Sequence, residues 1–221
     1  MRQALKRILV TAGPTRESLD PVRYLSNHST GEMGYAVARE ARQRGCQVTL
    51  ISGPVALEAP AGVKMVRVTS ALEMERACKK YLPVHDALVM SAAVCDFRPQ
   101  GISRQKMKRH GTLQLTLEKT PDILAALAKQ KKNQVMIGFC LETEHWLSRA
   151  RLKLTEKKLD GIVANRLSSR YSPFGRVRAD VAFLDGSSPA LIFKAKAKKS
   201  LARSLLNWME QLQCQKAVQK N

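Results

Sequence analysis

Short apolar runs alternate with amphipathic segments, in units of roughly thirty residues, along most of this 221-residue chain. Few architectures suit such a pattern. Runs that are apolar on both faces need helices above and below them, and a strand–helix–strand unit closes as a parallel pair with a right-handed crossover. The expectation is an α/β fold, a Rossmann-like three-layer arrangement with a mostly parallel sheet and a mixed C-terminal edge. Strands are predicted at 6–12, 47–51, 63–68, 86–90, 135–139 and 161–164, with 63–68 alternating apolar and basic residues as an exposed edge strand does. Helices are predicted at 31–44, 70–82, 121–129, 144–158 and 196–213. Gly45 suits the end of the first, Ser70 with Glu73 reads as a capping box for the second, and Pro121 suits the first turn of the third. A short strand at 113–117, a loop at 165–175 and a closing strand pair at 177–184 and 190–193 complete the pattern. No repeat or linker interrupts it and 44% of the residues are apolar, so a single domain over 1–221 is expected.

Four segments do not look like ordinary connections: 13–34, 91–99, 138–143 and 165–170. Each follows a predicted strand, and a parallel sheet gathers the carboxyl ends of its strands along the edge where ligands lie. The first segment, from Gly13 to Gly34, hands a strand over to a helix through glycines and small polar residues. Free amides and the positive end of a helix dipole favour a phosphate at such a place. The spacing is not that of a dinucleotide fingerprint, because no glycine stands two residues after Gly13, and no Gly-Lys-Ser/Thr marks a Walker loop. A dinucleotide oxidoreductase would also carry an acidic residue after its second strand, where this chain has Ile51-Ser52-Gly53.

Lysine and arginine number 38 against 18 aspartates and glutamates, a net charge of +20 that raises a nucleic-acid-binding module on a nucleotide-type fold as the alternative function. The basic residues are spread over several runs, however, and aromatic residues to stack on bases make up only 5% of the chain. A polyanionic small substrate would use a few of them. Five widely spaced cysteines form no CxxC or Cys/His cluster and read as free thiols in a reducing compartment, with no metal site. No run of eighteen apolar residues occurs and Met1-Arg2-Gln3 leads directly into a strand, so neither a membrane span nor a signal peptide is expected, and the cytoplasm is the expected location.

The segments VTAGPTRESLDPVRYLSNHSTGEMG, VTLISGPV, SAAVCDFRP, KMKR, KTPDIL, GFCLET and IVAN follow one another along the chain. In that order they resemble bacterial phosphopantothenate–cysteine ligase, also called phosphopantothenoylcysteine synthetase, over about residues 6–193. The resemblance implies a ligase of coenzyme A biosynthesis in a free-standing form, without the flavin-dependent decarboxylase that often precedes it. The implied reaction joins phosphopantothenate to L-cysteine. The pantothenate carboxylate attacks the α-phosphate of CTP, giving an acyl cytidylate and pyrophosphate, and the cysteine amine then displaces CMP. CTP is favoured over ATP, magnesium (Mg2+) bridges the triphosphate, and the implied partners are a second copy in a homodimer and a separate decarboxylase.

The resemblance also implies roles for particular residues. Lys106, with Lys108 assisting, stands for the catalytic lysine of a flap over the triphosphate, and Asn27 for the asparagine that holds the acyl cytidylate and orients its carbonyl. Nucleotide contacts are implied for Asp96, Phe139, Pro121, Asp122, Ile123, Leu124 and the helical pair Lys153 and Lys157, with Gly13 and Ala92 allowing close backbone approach. Arg23 has two open roles, binding the substrate phosphate or bracing its own loop through Asp20. The chain departs from the pattern at Thr30, Cys95, Cys140-Leu141 and Arg166, and above all at Glu32, which puts a carboxylate where the family carries a lysine.

Overall fold

The computed structural model of the protein describes residues 5–109, 111–166 and 179–218. Strand β1 (Arg7–Ala12) leads through a hairpin of β2 (Arg16–Ser18) and β3 (Tyr24–Ser26) into helix α1 (Glu32–Gln43) and then β4 (Gln47–Ser52). β5 (Lys64–Arg67), α2 (Ala71–Tyr81) and β6 (Ala87–Met90) follow. A second hairpin, β7 (Phe97–Pro99) with β8 (Leu117–Lys119), precedes α3 (Ile123–Ala128), β9 (Val135–Glu142) and α4 (Trp146–Glu156). The chain closes with β10 (Gly161–Arg166), β11 (Ala179–Leu184), β12 (Leu191–Lys196) and α5 (Lys198–Val218).

Eight strands form one sheet in the order β12-β11-β10-β9-β6-β1-β4-β5. The pairs from β10 to β5 are parallel, while β11 and β12 run antiparallel at one edge. Alternation along the central strands explains the three layers. Ile8, Val10 and Ala12 of β1 point to the side covered by α1 and α5, against Val37, Ala41, Leu205 and Met209. Leu9 points the other way with Leu88 and Met136, against Met74, Leu82 and Leu127 on the α2 and α3 side. Each such leucine or methionine contributes on the order of 1.5–3 kcal/mol by leaving water, which is why the buried positions of the central strands are mostly apolar. α4 covers a smaller cluster through Ala150 and Leu154 on Ile162 and Ala164.

Several boundaries differ from those expected. The hairpin β2–β3 was not predicted, and the short strand expected at 113–117 lies at Leu117–Lys119, paired with an equally short β7. Three-residue strands are too short to show a period. β9 runs through the turn expected at 138–143, because β10 continues beside it and pairs Asn165 with Leu141 and Arg166 with Glu142. Asn165 and Arg166, expected in a loop, are thus the last residues of β10, and residues 167–175 of that expected loop lie outside the described residues. α5 continues past 213 to Val218, where Lys216 meets Asp160 Oδ1 at 2.8 Å and donates to the Gln134 carbonyl at 2.9 Å.

One buried polar group, His85, lies just before the amino-terminal end of β6. His85 has Nδ1 2.6 Å from the Tyr81 carbonyl and Nε2 3.0 Å from Thr49 Oγ1. Burial pushes its pKa below the ordinary 6.5, although the Tyr81 contact opposes the change. The unfolded chain therefore binds a proton first, and stability present above pH 6.5 is lost as the pH falls below it. Thermal melts from pH 7.5 to pH 5 should show a declining Tm in the natural protein and a shallower decline in His85→Gln.

Candidate active site

The carboxyl ends of the central strands open onto a cavity of about 700 Å3. Its floor depends on backbone packing that only glycine permits. A Cβ on Gly53, after β4, would stand 1.9 Å from the Pro14 carbonyl oxygen, so the loops after β1 and β4 interlock main chain to main chain. Gly13 belongs to that interlock, with φ +74° and room for no Cβ beside Val55 and the Gly53 carbonyl, and it does not line the cavity. Gly34 lets the first turn of α1 rest on the strand ends, since a Cβ there would come within 2.6 Å of Ala12 and 2.8 Å of Ser91 Oγ.

Asn27 sits at the rim just past β3, exposed, and its Nδ2 donates to the Ala93 carbonyl at 3.0 Å. The loops that carry both residues are tied together: Thr15 N donates to Ala93 O at 3.1 Å, Cys95 N to Thr15 Oγ1 at 2.9 Å, and Ser26 Oγ to Thr15 O at 2.8 Å. Thr120 Oγ1 then donates to the Cys95 carbonyl, docking the segment that opens α3. Asp122 caps α3 by accepting from Ala125 N at 3.0 Å. Pro121 therefore precedes the cap and lies outside the first helical turn where it was expected, because the aspartate takes the capping place.

The far wall comes from β9 and α4. Phe139 is half-buried there, and the thiol of Cys140, also lining the cavity, is pushed up to about 11 by burial and stays protonated. Lys153 Nζ meets Glu142 Oε1 at 2.6 Å, with Arg149 3.3 Å from the other oxygen. Burial opposes ionisation of Glu142, yet these two cations hold its carboxyl below the usual range. Lys157 meets Asp122 at 3.2 Å.

One cavity thus brings together Asn27, Ala92, Asp96, Pro121 to Leu124, Phe139, Lys153 and Lys157. Four expected residues stand apart from it: Gly13, Arg23, Lys106 and Lys108. Arg23 braces its loop, with its guanidinium 2.5 and 2.9 Å from Asp20 Oδ2 and 2.8 Å from the Met107 carbonyl. Asp20 also accepts from the amides of Val22, Arg23 and Met107, and although burial opposes it, this set holds its carboxyl well below the usual carboxylate range. Lys106 is exposed in the long connection between β7 and β8, and that connection is fastened to the first loop at Asp20 and by Ser103 N on Leu19 O. Not expected at all was a wall from the C-terminal segment, where Lys196, Lys198 and Leu201 line the cavity. These residues lie beyond the recognisable motifs in a stretch that reads as a solvated basic helix.

A cavity at the carboxyl edge of a parallel sheet, lined by Gly31, Gly34 and several lysines, is of the kind that suits an anionic ligand at a helix start in an α/β protein. Residues 3–212 match the family described as the DNA/pantothenate metabolism flavoprotein C-terminal domain, and the chain belongs to that family. It is 48% identical over 167 residues to the coenzyme A biosynthesis bifunctional protein CoaBC of Vibrio cholerae, covering 74% of this chain and 42% of that protein. With CoaBC of Bacillus subtilis the identity is 45% over 172 residues, 77% of this chain and 42% of the relative. A crystal structure of the C-terminal domain of CoaBC superposes with a TM-score of 0.82 at 36% identity, over 96% of this chain and 98% of that one. The chain spans about half the length of the curated relatives it matches, 42% to 53% of the CoaBC proteins of two Vibrio species. Among the described residues no helix is long and apolar enough to cross a membrane, and no group of three His, Cys, Asp or Glu could hold a metal ion.

Proposed function

We propose that this chain joins phosphopantothenate to L-cysteine with CTP, through an acyl cytidylate. The observation that carries the reading is the meeting of Asn27, Asp96, the α3 start, Phe139, Lys153 and Lys157 around one cavity of about 700 Å3. Two polyanions must approach closely for a carboxylate to attack a triphosphate, and fixed cations and dipoles are what offset their repulsion. Lys119, Lys153, Lys157, Lys196 and Lys198 all line the space.

In the first step a pantothenate carboxylate oxygen bonds to the α-phosphorus and pyrophosphate leaves. Lys153 and Lys157 turn from Glu142 and Asp122 to the nucleotide, and Lys106 reaches the triphosphate when its connection folds over the cavity about the Asp20–Arg23 anchor. In the second step the cysteine amine bonds to the acyl carbon and CMP leaves. Asn27 donates to the oxygen that gains charge, a task an amide performs without titrating. Asp96, a carboxylate lining the cavity, would hold a magnesium ion arriving with the nucleotide, and the ion would supply charge neutralisation of the triphosphate, since one or two carboxylates with substrate phosphates suffice for it. Val22, Tyr24, Phe97, Ile102 and Leu117 expose apolar surface on the two hairpins and the connection beside the cavity, which supports a second copy packing there.

With phosphopantothenate and cysteine supplied, CTP should yield one pyrophosphate per amide formed, and ATP should yield little. Absence of the amide with every triphosphate would overturn the reading.

A further inference from the structure

Glu32 is the family departure that most opposes a triphosphate, and its surroundings give it a function. It is the first residue of α1, and Lys198 is the first residue of α5. Both side chains line the cavity, and Lys198 Nζ lies 2.5 Å from Glu32 Oε2 with the two side chains only 18% and 26% exposed. The pair thus joins two helix N-termini at the cavity wall. A carboxylate suits such a place, whereas an ammonium is at the wrong end of its own helix dipole. Among the cavity-lining residues, this corner sets Lys196, Lys198 and two helix starts beside Glu32, and Ser29, Thr30 and Gly31 add hydroxyls and amides in the same wall. One monovalent carboxylate answers only part of that positive potential. A phosphate, carrying more charge and three acceptor oxygens, answers more of it.

We propose that Lys198 is a phosphate-binding residue of this site and that Glu32 is its internal competitor, holding the ammonium until a substrate phosphate displaces the carboxylate. The proposal rests on the ligase reading above and adds a residue from the C-terminal helix to it. The cation that the resemblance places at the start of α1 is supplied here from α5, against the Glu32 carboxylate. The phosphate belongs either to the nucleotide or to phosphopantothenate, the two phosphorylated molecules of the proposed reaction.

Isothermal titration of the full chain separates the sources. CTP and phosphopantothenate are titrated separately into the natural protein, Lys198→Met, Glu32→Gln and the double variant. For one of the two ligands, Lys198→Met should weaken binding about tenfold, the loss of a charge-assisted hydrogen bond. Glu32→Gln should tighten the same ligand by roughly threefold, because the competitor and its repulsion are removed together. The other ligand should respond to neither. If both variants bind both ligands as the natural protein does while their Tm falls, the pair is only a brace between α1 and α5 and the proposal is overturned. Should Lys198→Met fail to fold, Glu32→Gln decides alone, and unchanged or weaker binding of both ligands overturns the proposal. Absence of CTP binding to the natural protein would overturn the ligase reading together with this one, an outcome distinct from unresponsive variants.

Discussion

Asn27→Asp is expected to leave phosphopantothenate activated but stranded, with acyl cytidylate forming and transfer to cysteine slowed by about 10²–10³-fold, the usual cost of losing one oxyanion donor. Asn27 stands at the rim of the cavity with its Nδ2 directed to the Ala93 carbonyl at 3.0 Å. The carboxamide can therefore hold a fixed orientation and still present a donor to an acyl oxygen. Aspartate keeps the size and removes the donor, and its charge repels the oxygen as it becomes anionic. The first half-reaction develops its charge at phosphorus, where other groups answer it, so activation should survive in part. Asn27 is exposed, and the substitution should change stability by no more than about 0.5 kcal/mol. Rapid-quench separation of cytidylate and amide checks the division, and equal loss of both steps would contradict it.

Lys106→Gln should show the complementary defect, with cytidylate formation reduced by about 10²–10³-fold and transfer from preformed cytidylate little changed. Lys106 is exposed and lies outside the cavity wall, so it contributes nothing to the core and the variant should melt as the natural protein does. Its value lies in the connection that carries it. Asp20 Oδ2 accepts from Met107 N at 3.1 Å and the Arg23 guanidinium donates to Met107 O at 2.8 Å, which fastens the residue next to Lys106 to the hairpin that leads into Asn27. Movement about that anchor delivers an ammonium to the triphosphate without dismantling the rim. Glutamine keeps a donor and loses the charge, which isolates the electrostatic contribution. Single-turnover rates with CTP and phosphopantothenate, measured without cysteine, test it; an unchanged rate would remove Lys106 from the first step.

The layered sheet was legible because its cause is local. Ile8 to Ala12 are buried on both faces, and a strand buried on both faces must be mostly apolar, here in all but Thr11, a pattern that needs no tertiary knowledge to see. The residues gathered at the strand ends were legible for a related reason, since their motifs follow strands that a parallel sheet must align. Other features depend on packing at long range. Arg23 could serve a substrate phosphate or Asp20 as far as its neighbours show, and only the docking of Met107 onto the same carboxylate displays the brace. Lys198 carried no signal, because a lysine opening a basic helix reads as solvated until α5 packs on α1 and brings it to Glu32. The length of β9 was hidden too: its last residues, Leu141 and Glu142, are strand only because Asn165 and Arg166 run beside them.

The most direct test of the central claim is a single turnover of the full chain with α-phosphate-labelled CTP and phosphopantothenate, first without cysteine and then with cysteine added. The expected result is a labelled acyl cytidylate that accumulates in proportion to enzyme, disappears on addition of cysteine, and releases labelled CMP as the amide appears. No labelled intermediate with a competent enzyme preparation, or activation by release of the terminal phosphate in place of pyrophosphate, would contradict it.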